Sequence, residues 1–311
     1  MTREENGRHN VSNSLRHDVM RLWTVLVKGI RAMVIPDQAE SVVKTLDGFV
    51  YKPVGHCIYC GATENLGKEH ILPFGLSGSA ILPKSSCRNC ASITGRTEQD
   101  ILRGSFWPVR AFRDLKSRSK HENAPSTMPV SIFRNGEDEV VMLKLEDAPI
   151  LLPFPIFPPP SFLSGQDSVA GITVTGHHTI RFGVDPTVVG KTLGASRINI
   201  TAEINPVAFA RMLAKIGYAY AVADGAVSDL DGLSFVLPSI LGEQDEIGCW
   251  VGTLTKPMEI FHDLLHRILL HRDYEKGLLF AEVQLFSDSQ TPSYGVVLGR
   301  LKPQLLHRSI V

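Results

Sequence analysis

The chain has 311 residues, 43% of them hydrophobic and 21% charged, with Lys plus Arg equal to Asp plus Glu. That balance excludes a wholly disordered chain and leaves no global basic field, so any affinity for nucleic acid must come from a local patch. The length suits two domains of ordinary size, or one domain with a large elaboration.

The first twelve residues read as a disordered tail. Leu15, Val19, Leu22, Leu26, Ile30 and Met33 then recur at steps of three and four, which predicts an amphipathic helix ending before Pro36. Arg21, Lys28 and Arg31 interrupt it too often for a membrane span, and no signal-peptide pattern precedes it. The expectation is a cytoplasmic protein without a membrane partner. Residues 1–50 form this N-terminal unit, and "GFVYKPVGHC" leads out of it as a short strand.

Four of the five cysteines follow as two C-x-x-C pairs, Cys57/Cys60 and Cys87/Cys90, separated by 26 residues. Each pair places two thiolates at one corner of a tetrahedron, and two pairs close a four-sulfur Zn²⁺ site. A closed site keeps no open coordination position, so this zinc is expected to be structural. His56 adjoins Cys57 and reads as a bystander. Between the pairs lies "KEHILPFGLSG", whose Glu69-His70 step a purely structural zinc loop does not require. The segment "ASITGRTEQDILRG" predicts a helix over 91–104 that starts at the second pair.

Cys-x-x-Cys-Gly, Glu-His-Ile-Leu-Pro, a glycine turn and a second Cys-x-x-Cys opening a helix resemble the zinc-stapled branch of the bacterial HNH, or ββα-metal, endonucleases. The resemblance covers Val54 to Arg103, about one-sixth of the chain. It implies a first strand ending at Glu69-His70, a second strand near Ala80 to Pro83, and a helix packed on both. It further implies His70 as the general base that activates water, and Glu69 as a ligand of one catalytic Mg²⁺ or Mn²⁺. Phosphodiester hydrolysis needs an aligned water and a cation that neutralises phosphate charge, and neutral imidazole is basic enough near pH 7. The family pattern places Asn or His directly after the last cysteine, or one to two turns into the helix, and at the first of these positions this chain has Ala91. Glu98, seven residues on and on the same helical face, and Asn89 inside the knuckle are the candidates to replace it, and a second carboxylate suits Mg²⁺ or Mn²⁺. Arg96 stands near the site as a phosphate clamp.

Arg103, Arg110, Arg113 and Lys116 are interleaved with Phe106, Trp107 and Phe112, a pattern that fits a phosphate backbone and also a solvated face. The module with this basic segment spans 51–122. Residues 123–165 hold a hairpin with an Asn135-Gly136 turn and "LLPFPIFPPPSF", whose five prolines predict an extended linker. Residues 166–311 predict an α+β domain with an antiparallel sheet: strands at "GITVTGHHTIRFG" and "SRINITAEI", a helix from Pro206 to Asp224 capped by Asn205 and stopped by Gly225, a buried strand at "IGCWVGTLT", and a three-stranded meander whose first member fits a helix equally well. His262, His266 and His271 in that first member, His177 and His178, and Cys249 read as structural residues. The fold class expected is therefore α+β: an HNH module with structural zinc, an N-terminal helix and a C-terminal α+β domain. The function expected is a metal-dependent endonuclease acting on DNA, with RNA as the alternative polymer and the C-terminal domain serving target choice or homodimer formation. The competing reading is a degenerate module that binds nucleic acid or protein without cutting.

Overall fold

A computed structural model describes residues 48–116, 125–165, 170–200 and 203–306. The predicted N-terminal helix lies outside them. The fold is mixed α+β with antiparallel sheets. No helix among the described residues is long and apolar enough to cross a membrane.

The cysteine-rich segment forms a strand, a strand and a helix. Strand β1 (Leu66–His70) pairs antiparallel with β2 (Ile81–Cys87), setting Glu69 opposite Leu82 and His70 opposite Ile81. A register shift between Gly67 and Glu69 marks a bulge just ahead of the acidic-histidine step. β2 is longer than expected and runs without a loop into helix α1 (Arg88–Arg103). The helix begins three residues before the predicted start because the second knuckle is its first turn. Cys87 is the N-cap, and its sulfur accepts from the Cys90 backbone N–H at 3.5 Å. The segment leading into Cys57 runs beside β2, its Tyr51, Val54 and Gly55 N–H groups donating to Ile81, Pro83 and Lys84 O, but it forms an isolated parallel bridge, Val50 to Ile81, where a strand was expected. A short helix, α2 (Trp107–Phe112), follows Gly104.

The Asn135-Gly136 turn joins β3 (Thr127–Arg134) to β4 (Glu137–Lys144), both turn residues having positive φ as such hairpins require. The proline-rich segment does not run as a linker. Pro149–Ile156 is strand β5, paired with β6 (Gly176–Gly183), and Ile150, Leu152 and Phe154 are fully buried. Successive backbone N–H groups of a strand point to opposite edges. Ala148 and Ile156 accept from the β6 side, so Pro149, Pro153 and Pro155 all place their missing donors on the opposite edge, which no strand among the described residues pairs with. After β6 come a short helix, α3 (Pro186–Leu193), and β7 (Arg197–Asn199), which adds to β3.

Helix α4 (Pro206–Asp224) has the predicted bounds. The Asn205 side chain accepts from Ala208 N–H at 3.1 Å, Pro206 takes the first turn, and Gly225 ends it at φ 85°. Its far side meets a four-stranded sheet of order β8-β11-β10-β9, built from Val251–Thr253, Ser293–Arg300, Leu278–Leu285 and His266–Asp273. The first member of the meander is thus a strand. Leu279, Ala281, Val283 and Leu285 of β10 face the main core, while Leu278 and Phe280 turn to a smaller cluster with Leu254 and Val297. Phe106, Phe154, Phe209 and Phe286 interlock edge to face, their ring centroids 5.7 to 6.4 Å apart. Through them the cysteine-rich unit, β5, α4 and the meander share one apolar core.

Where α4 crosses β10 the fit is tight: a Cβ at Gly217 would stand 2.9 Å from the Ala281 Cβ. Gly217→Ala would gain about 1 kcal/mol in an open helix. Here overpacking is expected to reverse the sign and cost about 1–3 kcal/mol, read as a lower urea midpoint; a raised midpoint would show that the helix moves aside freely.

Candidate metal centre and acidic cleft

The ligand sulfurs of Cys57, Cys60, Cys87 and Cys90 all lie within 4.8 Å of one another, a group that could hold a zinc ion. Cys60 and Cys87 sulfurs are 3.7 Å apart, close to the roughly 3.8 Å edge of a tetrahedron with zinc–sulfur bonds of about 2.3 Å. The first knuckle is a tight turn, with Gly61 N–H donating to Cys57 O at 2.8 Å and Cys57 N–H to Ala62 O at 2.7 Å. The Cys90 N–H at the start of α1 holds the Cys87 thiol down to about 7, which favours the thiolate a metal needs. His56 is exposed and stands outside the four-sulfur group.

The bulged end of β1 and the middle of α1 then bring Glu69 and Glu98 to a single point. Lys215 Nζ of α4 lies 2.8 Å from Oε1 of each. It also donates to the backbone carbonyls of His70 and Ile71. The lysine side chain is 2% exposed, Glu69 9% and Glu98 19%, so the cation is sealed behind the two carboxylates while they reach the surface. Burial pushes the Lys215 ammonium toward losing its proton, but the Glu69 and Glu98 charges more than offset this and hold its pKa above the ordinary lysine value. Tyr59, inside the first knuckle, buries its hydroxyl without a hydrogen-bond partner among the described residues. Burial raises its pKa well above the ordinary phenol value, and the Glu69 and Glu98 charges raise it further.

A cleft of about 640 Å³ opens over this trio, lined by Glu69, His70, Ala91, Glu98, Arg103 and Arg110 among others. The His70 ring meets Phe74 edge to face at 5.7 Å between centroids. Arg110 spans the cleft wall, donating to Gly75 O at 2.6 Å and Leu102 O at 2.7 Å. The other predicted residues lie elsewhere. Arg96 is exposed and bonds back to Ser92 O at 3.3 Å. Arg113 pairs with Asp288 and lies over the Phe182 and Phe286 rings. Lys116 and Asn89 are exposed and do not line the cleft. No known family model, characterised protein or solved structure matches the chain significantly.

Reading the sequence for the site misses Lys215. The signal was a lysine amid the apolar run of α4, since lysine is almost never fully buried unless paired. A second buried cluster was missed as well. Glu282 of β10 is enclosed by Lys256, by Arg267 at 2.8 Å and by His271 at 3.2 Å. This gives His271 a structural partner, and His266 likewise bridges Leu76 O at 2.9 Å and the Phe286 N–H at 3.1 Å.

Purified protein is expected to carry about one zinc per chain. Cys87→Ser should lose both the metal and the protease resistance of the strand-strand-helix unit; full zinc retention in that variant would remove Cys87 from the ligand set. Glu282 gives a separate, pH-dependent expectation. Burial raises its pKa, but His271, Lys256 and Arg267 together hold it down to about 2, against an ordinary 4.5. A depressed carboxyl stabilises the fold above the ordinary value and loses that contribution as pH falls toward about 2. Glu282→Gln should cost about 3 kcal/mol near neutrality, with the gap to wild type narrowing between pH 4.5 and 2; a gap independent of pH would assign the loss to packing alone.

Proposed function

We propose that the protein is an endonuclease of the HNH type that hydrolyses phosphodiester bonds of DNA, with a structural zinc in the four-cysteine group and its reacting centre in the adjoining cleft. One observation carries this reading. Glu69 and Glu98, 29 positions apart in sequence and on different elements, converge on one cation beside His70, in a cleft that Arg103 and Arg110 also line.

The donor set suits a hard divalent ion. Each carboxylate gives one oxygen to Lys215, both line the cleft, and neither has another partner among the described residues. Two carboxylates and one ammonium leave a net charge of about −1, with oxygen donors of the type Mg²⁺ and Mn²⁺ prefer. Such an ion, held by Glu69 and Glu98, would supply positive charge to the phosphate and the leaving oxygen.

In this mechanism His70, at the end of β1, takes the proton from the attacking water as a neutral imidazole. Arg110 is fixed by three carbonyls, those of Gly75, Leu102 and Lys116, so its charge contributes a preorganised positive wall without needing to move. Arg103, at the C-terminal end of α1, is the second cation for the nucleic-acid backbone. A reducing compartment such as the cytoplasm would keep four thiolates available to zinc. The competing reading, a module that binds without cutting, draws support from Ala91, which lines the cleft where the family pattern has a metal ligand.

With supercoiled plasmid and Mg²⁺ or Mn²⁺, the wild type is expected to nick and linearise DNA. His70→Ala should lower the rate by about 100-fold or more. DNA retention without cleavage under every metal would establish the binding reading instead, and cleavage unchanged in His70→Ala would remove His70 from the chemistry.

A further inference from the structure

Lys215 cannot serve as a catalytic residue. Its Nζ faces four acceptors, Glu69 Oε1, Glu98 Oε1 and the His70 and Ile71 carbonyls, against the three protons an ammonium carries. It is 2% exposed, so no phosphate reaches it. Nor can it readily swing away. One turn further along α4, the Tyr218 hydroxyl donates to Ile58 O of the first zinc knuckle at 2.7 Å, and the Tyr59 and Tyr218 rings lie 6.1 Å apart. Gly217 on the opposite face abuts Ala281. The helix is therefore clamped on both sides of the lysine.

From this arrangement we propose that Lys215 is a resident counter-ion that sets the divalent-ion affinity of the Glu69/Glu98 pair: it gathers the two carboxylates before any ion arrives and leaves them with one net negative charge instead of two. The inference rests on the proposed cleft-side ion. Two bare carboxylates brought this close repel each other, and a cofactor metal commonly relieves that repulsion. Here the relief is already built into α4. The incoming ion gains less, and it meets a fixed like charge behind the carboxylates, in surroundings poorly screened by water. The site is accordingly one for a single, loosely held ion that does not organise its own ligands. Lys215 is a positioning residue that also sets affinity.

The test uses zinc-loaded, full-length protein and Mn²⁺ alone, followed by the electron paramagnetic resonance of free Mn²⁺ and by thermal unfolding. Wild type should bind weakly and gain little unfolding temperature. Lys215→Met and Lys215→Gln should bind Mn²⁺ at least about tenfold tighter, as expected for removal of a nearby unit charge, and Mn²⁺ should raise their unfolding temperature far more than that of wild type. Glu98→Gln added to Lys215→Met returns the net charge to −1 and should bring the affinity back toward wild type. Should neither single variant fold without metal, Mn²⁺ is expected to restore a cooperative transition, and failure to do so overturns the inference. Equal Mn²⁺ affinity in wild type and variants overturns it too. Absence of Mn²⁺ binding in all of them removes both the counter-ion role and the cleft-side ion. His70-dependent plasmid cleavage by the wild type is read separately, so the nuclease proposal can stand when the counter-ion role falls.

Discussion

The contact on which the candidate site depends is the ammonium of Lys215 between Glu69 and Glu98. It draws three elements together that share no local sequence: the end of β1, the middle of α1 and the centre of α4. An ion pair this deep gives little net stability, because desolvating the charges consumes most of the attraction. Its consequence is geometric. Once one partner is buried the others must come to it, since a lone buried charge costs several kcal/mol. The angle between the strand-strand-helix unit and α4 is thereby restricted, and the Tyr218 bond to the first cysteine knuckle restricts it a second time.

The four cysteines act on the same geometry from the other end. Cys87 is both a candidate metal ligand and the residue that caps α1, so the turn that presents a sulfur also starts the helix carrying Glu98. A zinc ion there would fix the helix origin, and the origin fixes which face of α1 turns to the cleft. Structural and chemical roles are thus ordered along one stretch of chain, with the sulfurs at the base and the Glu98 carboxylate about three turns beyond Cys87 and two beyond Cys90.

Local chemistry was legible in the sequence where it completes itself within a few residues. Asn205, Pro206 and Gly225 bounded α4, and Asn135-Gly136 set the hairpin, because a cap or a turn needs no distant partner. Spacing along a helix and resemblance to a known pattern singled out Glu69 and Glu98 as candidate ligands of a divalent ion; the structure sets both against Lys215. The cation between them was not legible, because Lys215 follows Glu98 by more than a hundred positions and only the packed fold defines its neighbours. The proline-rich strand was misread for a different reason. Prolines at 149, 153 and 155 count against a strand hydrogen-bonded on both sides, yet a strand paired on one side only can hold them all on its free edge. The early start of α1 was hidden because a metal knuckle and a helix cap use the same spacing.

That free edge of β5 has a further consequence. An unpaired strand edge ordinarily offers a row of donors and acceptors to any extended chain that drifts past, including another copy of the same protein. β5 is strongly apolar and buried over most of its length, the composition most prone to such templating. With imino acids at 149, 153 and 155 that edge has carbonyls but few N–H groups; all three prolines are buried and the Pro155 carbonyl already accepts from the Tyr294 hydroxyl at 2.9 Å, so little of a ladder is left to form. Two of the five prolines that suggested a linker, Pro153 and Pro155, thus join Pro149 in removing donors from the border of the sheet, where a hydrophobic strand then offers little for a larger one to pair with.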